Sequence, residues 1–346
     1  MKKIVFVCNH LFGGGAERVL VSLANYFVNK GYIVTIIVFD GKKRYHIEKE
    51  ITVIEIGDSS SLLKQSKAIR KELIAEHPDI VIAFEYFVNL ATIIAARGLN
   101  LKVIVSERND PARIGSGFGK DQIRNYLYKH CDTVVCQTPD AKAYFPKNVQ
   151  THSVVIPNPI KNDLPQPWYG ERNHLVVNFC RLNEQKNLKL LIDAFLAFLK
   201  HFPDYKMVIY GDGPEKDEII EYIKLFSMDD AVTLLPNCAD VHERVIKSSM
   251  FVSSSDYEGL SNSMLEAMAI GLPTICTDCP CGGARMIIKN GENGLIVPAG
   301  DRVALTEAMK KIAMDQQLSR HLSREAQKIR TELSLDNIAE RWESLF

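Results

Sequence analysis

Residues 258–273 read EGLSNSMLEAMAIGLP. The apolar run Met250-Phe251-Val252, with Ser253 to Ser255 behind it, predicts a buried strand leading into this stretch. Gly259 then marks a tight turn. Asn262 to Ile270 has helical character, with Ser261 as N-cap and Gly271 and Pro273 as the stop. A helix that starts just beyond a strand end points free N–H groups and a positive dipole end at one spot, which suits an anion. Two carboxylates flank that spot: Glu258 in the turn and Glu266 inside the helix. A ligand with phosphate in its middle and hydroxyl groups at both ends fits, and a nucleotide sugar is such a ligand. A plainer reading stands beside it. Ser263-x-x-Glu266 has capping-box spacing, so Glu266 would only tie off a helix, although that start leaves Ser261 and Asn262 without a role.

The alternation around this stretch is that of an α/β protein. Lys3 to Cys8 is apolar and runs into Gly13-Gly14-Gly15; helical spacing follows over Ala16 to Lys30, and a β-branched strand over Tyr32 to Phe39. The glycines let backbone approach a ligand closely, but their spacing is not that of a dinucleotide fingerprint. Asp79 to Phe84, Leu101 to Val105, Thr133 to Cys136 and Ser153 to Ile156 continue the strand series. Ser106 to Pro111 follows a strand end, where open sheets bind ligands, and Arg108 and Asn109 in it are acceptor-side candidates. Pro157, Pro159, Pro165 and Pro167 punctuate the middle, and a second alternation starts at His174. This divides the chain into domains 1–163 and 164–332, with an amphipathic final helix, 333–346, whose Trp342 and Phe346 read as packing residues. Arg181 and Lys186 stand at the carboxyl end of a second-half strand and suit a diphosphate.

The chain has 346 residues, 46% of them apolar, and 42 basic against 42 acidic side chains. Two full cores are affordable, and a general nucleic-acid binder is disfavoured. No apolar run reaches membrane-span length. Lys2-Lys3 and the apolar residues after them imitate a signal peptide, but the run is short and Asn9-His10 breaks it, so a first buried strand is expected. Several of the eight cysteines sit in apolar strand-like runs, as in a reducing cytoplasm; Cys276, Cys279 and Cys281 cluster without a second ligand pair. Asp-x-Asp, a metal-chelating pattern, is absent. Leu62 to Glu76 predicts a helix whose Lys64, Lys67, Arg70 and Lys71 form a basic face, a solvated surface or a contact for anionic lipid at the inner face of the cytoplasmic membrane.

GGGAERV near the start, then RLNEQKN, GDGP and EGLSNSMLEAMAIGLP occur in the order found in the retaining glycosyltransferases of family 4, and nearly the whole chain resembles them. Within that family it is most similar to bacterial enzymes that build capsule, exopolysaccharide, lipopolysaccharide and other lipid-linked glycans. The resemblance implies a GT-B fold: two Rossmann-like domains with parallel sheets facing across a cleft, the final helix crossing back onto the first. It implies transfer of a hexose or N-acetylhexosamine from a nucleotide sugar, UDP-linked, to a lipid-linked or polysaccharide acceptor, with no metal or other cofactor. Glu266 would bind the ribose hydroxyls and Glu258 the donor sugar. Arg181 and Lys186 would hold the diphosphate together with the backbone of Gly259, Leu260 and Ser261, and Gly14 and Gly15 would line the cleft. The expected catalytic residues are Glu258, Arg181 and Lys186. Two departures stand out: Cys180 occupies a position where many members carry glycine, and Ser106 to Asn109 lacks the histidine often found there. Two other readings share these motifs, a nucleotide-sugar epimerase of the same fold and a non-catalytic glycan- or nucleotide-binding subunit.

Overall fold

Apolar runs of four to seven residues alternating with amphipathic ones bury themselves best as a parallel sheet with helices on both faces. The computed structural model, which describes residues 2–43, 45–58, 61–114 and 119–346, contains two such units. One comprises Met1–Pro159 and Leu335–Phe346, the other Ile160–Ser334.

In chain order the first unit is β1 (Lys3–Leu11), α1 (Gly15–Asn29), β2 (Ile33–Lys43), β3 (Thr52–Glu55), α2 (Leu62–Glu76), β4 (Ile80–Phe84), α3 (Tyr86–Ala96), β5 (Lys102–Ser106), α4 (Lys120–Tyr128), β6 (Thr133–Cys136), α5 (Pro139–Tyr144), α6 (Lys147–Gln150) and β7 (Ser153–Val155). Its strand order is β3-β2-β1-β4-β5-β6-β7, with every pairing parallel. Ile4 to Val7 are fully buried, as a central strand covered on both faces requires. The expected stripe Val19, Leu20, Leu23 and Phe27 is the buried face of α1. Helices α5 and α6 escape sequence reading because they are too short to show a period; Thr138 caps α5 by accepting from Ala141 N at 3.0 Å.

The second unit runs β8 (Asn173–Phe179), α7 (Leu188–Leu199), β9 (Lys206–Tyr210), α8 (Lys216–Leu225), β10 (Val232–Leu235), α9 (Val241–Val245), β11 (Ser248–Ser253), α10 (Asn262–Ala269), β12 (Thr274–Asp278), α11 (Gly283–Ile287), β13 (Leu295–Pro298), α12 (Arg302–Met314), α13 (Gln316–Ala326) and α14 (Ile329–Glu332). Its sheet, β10-β9-β8-β11-β12-β13, is again parallel throughout. Both sheets reverse direction beside their first strand, between β1 and β4 and between β8 and β11. In open α/β sheets ligands bind outside the carboxyl ends at such a switch point.

The division falls at Pro159/Ile160 rather than after Asp163. Ile160 donates its N–H to Leu333 O at 2.8 Å, and Arg330 grips Pro165 O and Leu164 O at 2.7 and 3.1 Å. Arg172 reaches Gly271 O at 2.6 Å and Ser248 O at 2.9 Å. The Pro-rich stretch after Pro159 is therefore fastened to the second unit by half-buried guanidinium groups instead of swinging as a linker.

The last helix, α15 (Leu335–Glu343), starts later than the expected 333 and belongs to the first unit. Trp342 is fully buried and stacks on Phe84, ring centres 5.6 Å apart. Phe346 packs on Phe27 at 4.9 Å, and Glu343 accepts from Lys30 at 2.5 Å and Tyr32 at 2.7 Å. Truncating Trp342 removes a buried indole and leaves a cavity, so Trp342→Ala is expected to cost the first unit about 3–5 kcal/mol. Urea unfolding followed by fluorescence or circular dichroism measures this, and limited proteolysis should release α15 first.

Candidate functional site

Strand β8 ends at Phe179 and the chain leaves through Cys180-Arg181-Leu182 into a single 3₁₀ turn, Glu184–Lys186. Strand β11, its neighbour across the switch point, ends at Ser253 and leaves through Ser254 to Ser261 into α10. The two exits are stitched together. Ser254 Oγ donates to Lys186 O at 2.8 Å and Asn187 O at 2.9 Å, and Asp256 N donates to Gln185 O at 2.9 Å. Asn187 takes a left-handed conformation, caps α7 through Oδ1 and donates Nδ2 to Asp256 at 2.9 Å.

This framework brings Lys186 against Glu258 as a salt bridge, with side chains only 15% and 14% exposed. Ser255 Oγ donates to Glu258 Oε1 at 3.1 Å and Gln185 Nε2 to Oε2 at 2.9 Å. Burial by itself lowers the Lys186 pKa; the Glu258 carboxylate more than offsets this, so the ammonium titrates above its ordinary value. A carboxylate offers about four lone-pair sites. Three of those on Glu258 are occupied, which leaves one on Oε2 for a ligand hydroxyl. Arg181 is exposed at the same strand end and makes no ion pair with a described residue.

The helix start is the one expected. Ser261 Oγ accepts from Met264 N at 3.4 Å, so Ser261 is the N-cap and Ser263 lies inside α10. The capping-box reading of Glu266 falls away. Instead its Oε2 meets His242 Nε2 from α9 at 3.0 Å, both side chains nearly buried. Glycines set how closely the loops approach. A Cβ on Gly213 would lie 2.1 Å from Leu182 O, one on Gly211 2.1 Å from Cys180 O, and one on Gly283 2.0 Å from Gly259 O. GDGP is thus a backing for the Arg181 loop, and Gly283 a backing for the Gly259-Leu260 turn. Cys180 lies outside the left-handed region, so its backbone path needs no glycine.

A small recess against Glu258 is lined by Ser255, Ser261, Cys276, Thr277 and Cys279. None of the eight cysteines forms a disulfide. Burial pushes the Cys180 and Cys279 thiols up to about 12, so both stay protonated at neutral pH. Among the described residues no three His, Cys, Asp or Glu side chains converge as a metal site.

In the first unit Gly14 and Gly15 stand at the carboxyl end of β1, Gly14 as the N-cap of α1. A Cβ on Gly14 would fall 1.7 Å from the carboxylate of Glu17, which is buried and faces His10 Nδ1 at 3.4 Å. At the end of β4, Glu85 holds φ at +80°, a strained value for a residue with a side chain. Arg108 lies over the Phe84 ring at 4.5 Å and donates to Asn158 Oδ1 at 2.6 Å and Ser106 Oγ at 3.3 Å. Burial lowers its pKa to about 9, with Arg18 as the next cause. Asn109 Oδ1 accepts from Asp110 N at 2.8 Å. Between these residues and the core lies Glu107, which sequence reading treated as loop. It is 2% exposed and accepts from Tyr128 OH, which in turn receives Asn89 Nδ2 at 3.0 Å. Burial raises the Glu107 pKa, and the charge of Arg124 and the bond from Tyr128 work against that. Arg70, expected on the basic face of α2, turns inward and donates to Ala95 O and Arg97 O, each at 2.7 Å.

His242, Gln185, Ser255 and Glu107 are the polar side chains that the sequence did not reveal as partners. Gln185 lies inside RLNEQKN and Glu107 inside the polar loop, but His242 has no motif around it.

The sequence model for "Glycosyl transferases group 1" matches residues 165–329, and that for "Glycosyltransferase Family 4" matches residues 13–164. A Haemophilus influenzae protein described as an uncharacterized glycosyltransferase is 24% identical over 100% of both chains. A Campylobacter jejuni GalNAc-alpha-(1->4)-GalNAc-alpha-(1->3)-diNAcBac-PP-undecaprenol alpha-1,4-N-acetyl-D-galactosaminyltransferase is 28% identical, covering 99% of this chain and 97% of its own. The Anabaena protein HepE, solved in complex with UDP and glucose, shares the fold with a TM-score of 0.84 at 19% identity, covering 99% of each chain.

The ion pair predicts a double-mutant cycle. Lys186→Met and Glu258→Gln should each cost about 3 kcal/mol, because each strands the other's charge or hydrogen bonds. The double variant should cost less than the sum, with a coupling of about 1–3 kcal/mol in urea titrations. A lysine whose folded pKa is raised stabilises fully below its unfolded value of about 10.4 and loses this as pH climbs through the folded value, so the cycle should read the same at pH 6 and pH 8.

Proposed function

Given that the chain belongs to the GT-B glycosyltransferases, we propose that it transfers a hexose or N-acetylhexosamine from a UDP-sugar to a lipid-linked or polysaccharide acceptor in bacterial glycan synthesis, with retention at the anomeric carbon. The carrying observation is the Lys186–Glu258 pair at the switch point of the second sheet, with exposed Arg181 beside it and the start of α10 next to Glu258. A bare carboxylate there would repel a diphosphate. Paired with Lys186, Glu258 adds no net charge, and its remaining Oε2 site accepts a hydroxyl of the donor sugar.

In this reading the C1–O bond to the β-phosphate breaks and the acceptor hydroxyl attacks C1 on the same face. Its proton passes to the departing phosphate oxygen, so no protein base is required. Arg181, the two further N–H donors of Lys186, and the backbone at Gly259, Leu260 and Ser261 stabilise the diphosphate charge as it develops, without a metal ion. Glu266 binds the ribose hydroxyls. On the acceptor side, Arg108 and Asn109 lie at the carboxyl end of β5, at the same edge of the sheet as Gly14 and Gly15. The Campylobacter jejuni relative supports a lipid-diphosphate acceptor, and the UDP of the Anabaena structure supports the base.

Helix α2 supports a place at the inner face of the cytoplasmic membrane. Its solvent face carries Lys64, Lys67 and Lys71 between exposed Leu63 and Ile74, an arrangement that suits anionic headgroups. No described helix is long and apolar enough to cross a membrane.

Two measurements test this. Melting curves with UDP, GDP, ADP and their sugar conjugates, in EDTA, should show a shift with UDP and UDP-sugars. With the sugar so identified and a lipid-diphosphate acceptor, Glu258→Ala and Lys186→Ala should each lose about 10²–10³-fold in kcat while still folding. Near-normal rates in both, or donor conversion without acceptor, would sink the assignment. Reversing Lys64, Lys67 and Lys71 to Glu should abolish sedimentation with phosphatidylglycerol vesicles, at about 1 kcal/mol per lysine; unchanged binding would remove the membrane role.

A further inference from the structure

Glu266 leaves α10 among buried neighbours, Leu265 and Ala267, and its own side chain is 12% exposed. A carboxylate in that position either finds a donor or neutralises. One donor comes from 24 residues earlier: Nε2 of His242, 3.0 Å from Oε2. A carboxylate only accepts, so the imidazole donates and Nε2 carries the proton. The ring itself is fixed. It is 7% exposed and meets the edge of Phe179 at 5.4 Å, and Phe179 is held in turn by Phe251 at 4.9 Å.

From this we infer that His242 is a positioning residue, which locks the Glu266 carboxylate in the plane needed to accept both hydroxyls of a ribose. The inference rests on the nucleotide reading of Glu266 given above. A glutamate side chain has three rotatable bonds, and a vicinal diol needs two acceptor directions presented together. The histidine removes that freedom before the nucleotide arrives. It touches no substrate itself. Its effect is therefore on the discrimination between ribose and deoxyribose, which a merely structural histidine would leave alone.

Calorimetric titration with UDP and 2′-deoxy-UDP tests this on the whole chain. The unsubstituted protein should prefer UDP by on the order of tenfold or more. His242→Leu, which keeps the packing against Phe179 but has no donor, should erase that preference by weakening UDP alone. His242→Gln, whose amide reaches Glu266, should keep most of it. Should His242→Leu fail to fold, His242→Asn, whose amide stops short, carries the same expectation. A preference that survives in the donor-less variant overturns the inference and leaves the ribose reading standing. Equal weakening of both nucleotides shows a structural histidine only, and overturns it as well. Absent or equal binding of the two nucleotides by the unsubstituted protein overturns the ribose reading of Glu266, and the inference falls with it.

Discussion

The salt bridge between Lys186 and Glu258 is the contact on which the second unit's candidate site depends. Either charge alone is costly in so enclosed a place, and together they fix two loops that the sequence separates by seventy-two residues. The loops meet because β8 and β11 are neighbours at the point where the strand order reverses. Ser254, Asp256 and Asn187 then hold the backbones in register, so the pair is presented rather than merely permitted. The glycines complete the arrangement from behind. Gly211, Gly213 and Gly283 allow one loop to lie against another at distances that no side chain would permit.

The first unit reaches its own sheet edge by a different balance. Its ordering elements are aromatic stacking and buried charge. Trp342 of the last helix stacks on Phe84, the guanidinium of Arg108 lies over the Phe84 ring, and Asn158 and Ser106 accept its hydrogen bonds. Glu107, Tyr128 and Asn89 form a hydrogen-bonded strut under the same loop. The strained φ of Glu85 sits among these groups, at the place where an open sheet takes its ligand. The final helix therefore contributes to the surroundings of Arg108, more than two hundred residues away along the sequence.

Local pattern was enough to read the α/β alternation, since apolar runs and helical stripes are set by near neighbours. It was enough for the Ser261 cap and the helix after it, and it singled out four charged residues, Arg181, Lys186, Glu258 and Glu266, as candidates because each lies in a compact motif. The amphipathic spacing of the last stretch also marked Trp342 and Phe346 as packing residues, and both pack. What near neighbours cannot encode is which strand ends lie side by side. The pairing of Lys186 with Glu258, the service of His242 to Glu266, the inward turn of Arg70 and the burial of Glu107 all follow from strand order and helix packing. Each joins residues that share no local pattern. The sequence settled which chemical groups this protein carries and on which kinds of element; the tertiary structure decided which of them meet, because desolvated charges and close backbone contacts are satisfied only when the whole sheet has formed.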